Sequence, residues 1–355
     1  MRHKITLGLA LAVLSVGPTF AQETPRAGWA APRNVWGQPD LEGVWTNATI
    51  TPQARPASFG ARLVMTPQEV AEAERAADAQ IEKGNRDTDP GAPTVTDGSV
   101  GGYSRGFLDP GTRVMRVGGQ PRTSLITTPD GHPPAPRPGS AITRDQMRAL
   151  TLATPYRIDE LGSVAGLDAS EGAKARYDNP EELSLGERCL TSFGRNGPPP
   201  MFPNGFYNNN YQIAQSPDAV LIVVEMVHDQ RHVRLNSKTH LPTSVRPWFG
   251  DSIGRWEGDT LVVETTNLPK AQALFGAWEN LKVTERFTRA PGDRLHYAFT
   301  IEDPTVWEKP WGGEYEFAAL QGRVYEYACH EGNYSMPGIL GGTREADRAA
   351  KAAGG

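Results

Sequence analysis

Gly254-Arg255-Trp256-Glu257-Gly258-Asp259-Thr260-Leu261-Val262-Val263-Glu264-Thr265-Thr266 (residues 254–266) decides the fold. Two runs of β-formers flank Glu257-Gly258-Asp259, a turn signal, so the segment predicts strands at Gly254–Trp256 and Thr260–Thr266 joined as a hairpin. The same texture extends in both directions. Alternating apolar and polar residues predict strands at Tyr211–Gln215, Ala219–Val227, Arg231–Leu235 and Thr243–Trp248 upstream. Downstream they predict Lys282–Thr288, Arg294–Glu302, Glu314–Phe317 and Val324–Cys329, with a second turn at Ala290-Pro291-Gly292-Asp293. Successive hairpins without intervening helices argue for an antiparallel meander. So many strands avoid exposed edges by closing into a barrel or curling into a sandwich.

The favoured reading is mainly β, an up-and-down barrel or curled sheet of the calycin kind, because Leu41-Glu42-Gly43-Val44-Trp45 resembles the Gly-x-Trp opening of lipocalins. A few helices and long Gly/Pro-rich loops precede the strands. Thr66-Pro67-Gln68-Glu69 is a capping box with proline at the first helical position, and its Ala/Glu-rich helix stops at Gly84. Further helix starts stand at Thr143-Arg144-Asp145-Gln146 and at Asn179-Pro180-Glu181-Glu182, the latter leading to Gly186. Gly and Pro make up 68 of the 355 residues, and 20 of these fall between Gly84 and Ser140, so that stretch cannot supply a core. It is expected to wrap the barrel in part, anchored by Tyr103, Phe107, Leu108, Val114, Met115 and Val117.

Residues 1–21 carry Arg2 and Lys4, an apolar run from Ile5 to Val16, and Thr19-Phe20-Ala21, the layout of a cleaved signal peptide. The run is too short to span a bilayer, so a periplasmic or secreted protein without membrane insertion is expected. The organisation expected is 1–21 signal peptide, 22–188 irregular or helical wrapping region, 189–342 antiparallel β domain and 343–355 flexible tail. Without the leader, 34 basic residues face 41 acidic ones, and no basic cluster offers a surface for nucleic acid. The two cysteines exclude a disulfide-dense scaffold and a CxxC site. In an oxidising compartment they predict one Cys189–Cys329 disulfide.

Chemistry concentrates in two clusters. Glu225, His228, Asp229, Arg231, His232 and Arg234 surround a tight turn, and Tyr325 to Tyr334 contains Cys329, His330, Glu331, Asn333 and Tyr334. His228 and His232 are four apart, a ligand spacing on a helix, but a turn between strands removes that geometry and no metal site is expected. Alternation points Glu285 to the same face as Val283 and Phe287. Such a carboxylate either has a raised pKa suited to acid/base work or pairs with an arginine, Arg286 or Arg231. No GxSxG elbow, phosphate-binding loop or dinucleotide fingerprint occurs in a sound context.

Trp248 through Asn267, together with Glu225-x-x-His228-Asp229-x-Arg231 and Tyr325 through Tyr334, resembles a widespread family of exported bacterial proteins of no assigned activity. The resemblance spans about 180–342 and implies that this part is the functional unit. The function expected from the residues is cofactor-independent acid/base catalysis of lyase, isomerase or hydratase type on a hydrophobic or aromatic small molecule. His228 and His330 would move protons, Asp251 or Glu331 would orient them, and Arg231 would hold an anion. Glu225, His232, Trp248, Trp256, Asn333 and Tyr334 would line the substrate, and Trp278, Trp307 and Trp311 offer further flat surfaces. A non-catalytic small-molecule binding protein and a metal-dependent hydrolase are the alternatives.

Overall fold

A computed structural model describes residues 29–84, 110–140 and 179–353, apart from 184, 187, 193, 194, 205–207 and 332. The expected signal peptide, the helix start at Thr143 and the anchors Tyr103, Phe107 and Leu108 lie outside the described residues.

The strands are β1 (Gly43–Thr46), β2 (Arg116–Val117), β3 (Gln120–Pro121), β4 (Asn210–Gln215), β5 (Ala219–Val224), β6 (Gln230–Arg234), β7 (Asp251–Glu257), β8 (Thr260–Thr266), β9 (Lys282–Ala290), β10 (Arg294–Glu302) and β11 (Trp311–Ala319). Nine of them close into a barrel in the order β1-β11-β10-β9-β8-β7-β6-β5-β4, with β1 returning to β4, and β2 pairs with β3 separately. The architecture is therefore the mainly β closed barrel that the alternation predicts. A ring in which every neighbour is antiparallel needs an even number of strands. Nine leave one parallel pair, found at β6 and β7, where Val233 faces Ser252.

A parallel pair needs a crossover rather than a hairpin, and residues 235–250 provide it. Thr243–Trp248, predicted as a strand, is loop for this reason. Three more expectations are corrected. The predicted strand Ala219–Val227 ends at Val224, because a short 3-10 turn over Met226–His228, with Val227 at φ 58°, feeds directly into β6. Val324–Cys329 is also loop, since β11 already completes the ring. Asn179 opens only a 3-10 turn, Pro180–Glu182.

Helix α1 (Pro67–Gly84) begins as its capping box requires: Glu69 N–H donates to Thr66 Oγ1 at 3.3 Å and Thr66 N–H to Glu69 Oε2 at 2.8 Å. Helix α2 (Ser335–Ala353) occupies the C-terminal end, where a flexible tail was expected from 343. Its Pro337 sits in the first turn, where no intrahelical N–H is lost. The barrel also recruits β1 from well before residue 189. β1 meets β11 only at Trp45 and Thr46, and the upper part of β11 is met instead by 125–127, with Ile126 bridged to Gly313. Met115, Leu125 and Ile126 join the barrel core, whereas Val114 packs with Met65 and Val70 in a separate cluster beside α1. Wrapping explains why both faces of β11 are buried from Trp311 to Phe317.

The cores of the strands obey the period of two. Val283, Glu285 and Phe287 of β9, Leu295, Tyr297, Phe299 and Ile301 of β10, and Trp311, Gly313, Tyr315 and Phe317 of β11 share the interior face through paired positions. One end is closed by short turns and by Trp45, whose indole donates to Leu41 O at 3.0 Å beneath the Arg289 guanidinium, 4.6 Å from the ring centroid. The other end carries the long connections 225–229, 267–281 and 303–310.

Candidate functional site

Barrel alternation places Arg231 of β6 and Glu285 of β9 face to face inside the ring, each essentially inaccessible. They form a two-pronged ion pair, Arg231 Nη1 to Glu285 Oε1 at 3.1 Å and Arg231 Nη2 to Glu285 Oε2. Burial drives the Arg231 pKa down, but Glu285 more than restores it, leaving it raised. Of the two readings of Glu285 left open by the sequence, pairing with Arg231 is the one observed; Arg286 instead bonds Glu257 at the surface. Tyr297 donates to Glu285 Oε1 at 2.8 Å and accepts from Met201 N–H at 3.0 Å. Tyr315 donates to Met201 O, and Asn47 Nδ2 donates to the hydroxyls of Tyr315 at 3.2 Å and Tyr211 at 3.3 Å. Burial raises the pKa of all three tyrosines, so their hydroxyls stay neutral, with Tyr297 and Tyr315 donating and Tyr211 accepting.

Met201 belongs to a segment, 195–204, that enters the barrel at its long-loop end. Its residues are proline-rich, with a cis bond at Pro199–Pro200, and have too few free N–H groups to make a strand. They are held by side chains instead. Phe202 packs edge-on against Phe299 at 5.2 Å, and Asn204 Nδ2 donates to Asn196 Oδ1 at 2.8 Å. Arg195 donates to Gln272 O at 3.0 Å and to Pro199 O. Burial, offset partly by Tyr297 and reinforced by Arg231, lowers the Arg195 pKa to about 10. Beside this segment Trp311 projects inward, with Trp307 at 5.5 Å and Phe275 at 6.0 Å. Four buried donors at this end have no partner among the described residues: Arg195 Nε, Arg231 Nε, Trp307 Nε1 and Trp311 Nε1. Buried donors are ordinarily satisfied, so each of these four is open to an acceptor from outside the described residues.

The expected site residues are not brought together as one constellation. His228, His330 and Glu331 are exposed, and neither imidazole makes a side-chain hydrogen bond to a described residue. Asp251 holds the crossover: it accepts from Arg234 at 2.8 Å and Leu241 N–H at 2.9 Å, and lies 2.8 Å from His240 Nδ1, whose Nε2 is 3.2 Å from Glu264. Burial pushes the Asp251 pKa up, but these contacts outweigh it and leave it lowered. Glu225 ties two segments, accepting from Asn210 Nδ2 at 2.7 Å and from Tyr325 N–H at 3.0 Å. His232 lies on the outer face of β6. Trp248 is 47% exposed on the crossover, and Trp256 pairs with Leu261 near the closed end, away from Trp311. Tyr334 is 85% exposed, and Asn333 Nδ2 donates to Cys189 Sγ at 3.4 Å.

The Cys189–Cys329 disulfide forms as expected and fastens the loop after β11 to the segment leading into 195–204. Asp229, buried, accepts from Ser192 N–H at 2.7 Å in that same region, and burial pushes its pKa up to about 6 despite the Ser192 contact. No group of three or more ligating side chains suited to a metal ion occurs among the described residues. Sequence patterning does not single out Arg195, Asn47 or Tyr211 as site residues. Arg195 lies in an aperiodic proline-rich stretch, whereas Tyr297 is legible as an inward residue from the Leu295, Tyr297, Phe299 alternation.

No known family model matches the chain, and no curated protein matches it. Among solved structures, the chain is similar to a mutant of the fluorescent protein UnaG at 14% identity and a TM-score of 0.21, over 32% of this chain and 72% of that one. The barrel itself is read from its strand pairing.

Proposed function

We propose that the protein is an exported, non-catalytic binder of a ring-containing small molecule, held at the long-loop end of the barrel between Arg195, Arg231, Trp307 and Trp311. The observation that carries this reading is that Arg195, Arg231, Trp307 and Trp311, all at the end where the ring is capped by loops rather than by hairpins, each keep a buried donor without a partner among the described residues. Flat apolar walls with a few convergent polar groups are the ordinary make-up of a small-molecule site. The described residues contain no helix long and apolar enough to cross a membrane. The disulfide is compatible with an oxidising compartment, which supports the periplasmic or secreted assignment. Membership of the exported family sketched by the Trp248–Asn267 motif is part of the same proposal. Native mass spectrometry of the purified full chain after incubation with a small-molecule cell extract tests the reading. A one-to-one adduct that is lost in Trp311→Ala is expected, while an adduct unchanged by that substitution, or none, contradicts it.

A second reading, a cofactor-independent lyase, isomerase or hydratase, is favoured by one observation. Asp229 is a buried carboxylate whose pKa of about 6, beside His228, suits proton transfer near neutrality. Turnover of the retained compound that is lost in both Asp229→Asn and His228→Ala would establish it. Binding without turnover leaves the binder.

A further inference from the structure

The charges inside the barrel do not balance. Arg231 is matched by Glu285 through both terminal nitrogens, whereas among the described residues the Arg195 guanidinium donates to the carbonyl oxygens of Gln272 and Pro199 and to no carboxylate. Arg195 feels both the Arg231 charge and the Glu285 carboxylate, whose direct contacts are made by Arg231 and Tyr297. Arg231 is 2% exposed and Trp307 and Trp311 are each 1% exposed, so their free N–H groups are enclosed rather than solvated. Arg195 is partly buried with its Nε enclosed; a cation there without a counter-charge is costly in proportion to its burial, and so is each enclosed donor without an acceptor. One oxyanion satisfies both deficits together, because it supplies the missing negative charge and several lone pairs. A neutral ligand supplies the lone pairs only. The walls are aromatic: Phe275, Trp307 and Trp311 stand ring against ring.

Resting on the binding reading above, we propose that the ligand is a small aromatic monoanion, a carboxylate or comparable oxyanion on a ring. Its oxygens accept from Arg195 Nε and Arg231 Nε, and its ring lies against Trp307 and Trp311. Inorganic anions lack the ring and dianions carry one charge too many, so neither is the preferred occupant. The ligand takes the Nε of Arg195 and leaves the other two guanidinium nitrogens on the Gln272 and Pro199 carbonyls, so 195–204 keeps its tether while the site is filled.

Isothermal titration of the full chain at pH 7.5 with 2-naphthoate and with its neutral isostere 2-naphthamide tests the assignment. The expected result is a preference for naphthoate of tenfold or more. That preference falls to within about twofold in Arg195→Gln and is kept in part in Arg195→Lys. Circular dichroism and unfolding curves of both variants confirm that the loss is not one of folding. Equal or tighter binding of the amide by the wild-type chain overturns the anion assignment while leaving the binding reading in place. The anion assignment also falls if naphthoate is preferred but Arg195→Gln keeps the full preference. Saturable binding of neither probe overturns it as well. If no extract component is retained either, the binding reading falls with it.

Discussion

Glu285 shows what a single residue does here. Removing its charge in Glu285→Gln strands Arg231 in the interior, and the expected cost is about 3 to 5 kcal/mol in denaturant unfolding. Replacing both partners, as Arg231→Met with Glu285→Leu, removes the stranded charge and is expected to recover at least half of that loss. A double variant no more stable than the single one contradicts this. Asp229 gives a pH signature. Its folded pKa of about 6 lies above the unfolded value, so the folded chain holds the proton more tightly. Stability therefore falls as pH rises from about 4 to about 6, and Asp229→Asn removes that slope. Between pH 4 and pH 7 the variant should gain on the wild type by on the order of 2 to 3 kcal/mol. Parallel stability profiles would refute the assignment. At this scale the sequence is legible where residues lie in strands: alternation alone turns Glu285 inward, but it leaves Arg286 and Arg231 both open as its partner. It misleads around His228 and His330, because chain neighbours in turns, unlike those in strands, carry no rule for the direction of their side chains.

At the scale of elements, the hairpins are readable because each is local, a turn signal between two alternating runs. The parallel pair is not, because its cause is global. Only the closure of nine strands forces one parallel neighbour, and with it the 235–250 crossover that alternation misreads as a strand at Thr243–Trp248. That crossover is fastened by side chains: Asp251 holds His240 and the Leu241 N–H, Asn267 donates to the Leu241 and Pro242 carbonyls, and Arg246 donates to Leu268 O. Asp251→Ala should therefore open it to proteolysis near Leu241 while the barrel ellipticity persists, and equal protease resistance in the two proteins would contradict this. The join between β11 and 125–127 depends on Gly313. A Cβ there would collide with the Leu125 carbonyl and the Phe299 ring. Gly313→Ala is expected to destabilise by about 1 to 3 kcal/mol and to speed amide exchange at Glu314, whose N–H donates to Leu125 O.

Over the whole molecule, the division expected from composition is too sharp. A wrapping region and a β domain interlock, since β1 and 125–127 come from the first part and complete a ring built by the second. Composition locates the glycine- and proline-rich stretch, but which of its residues join the barrel depends on gaps that exist only once the ring has closed. The Cys189–Cys329 disulfide spans 140 residues, and the chain-entropy model assigns such a link about 4 to 5 kcal/mol. It connects two loops outside the strands, so reduction should lower the unfolding midpoint without abolishing the β-rich spectrum. The central claim is that the long-loop end of the barrel holds a ring-bearing small molecule. It is tested most directly by the indole N–H resonances of the tryptophans, assigned by single Trp→Phe variants, before and after addition of 2-naphthoate. The account predicts saturable shifts for Trp307 and Trp311, with the exposed Trp36 and Trp248 unmoved; shifts confined to Trp36 and Trp248, or no shift at all, would contradict it.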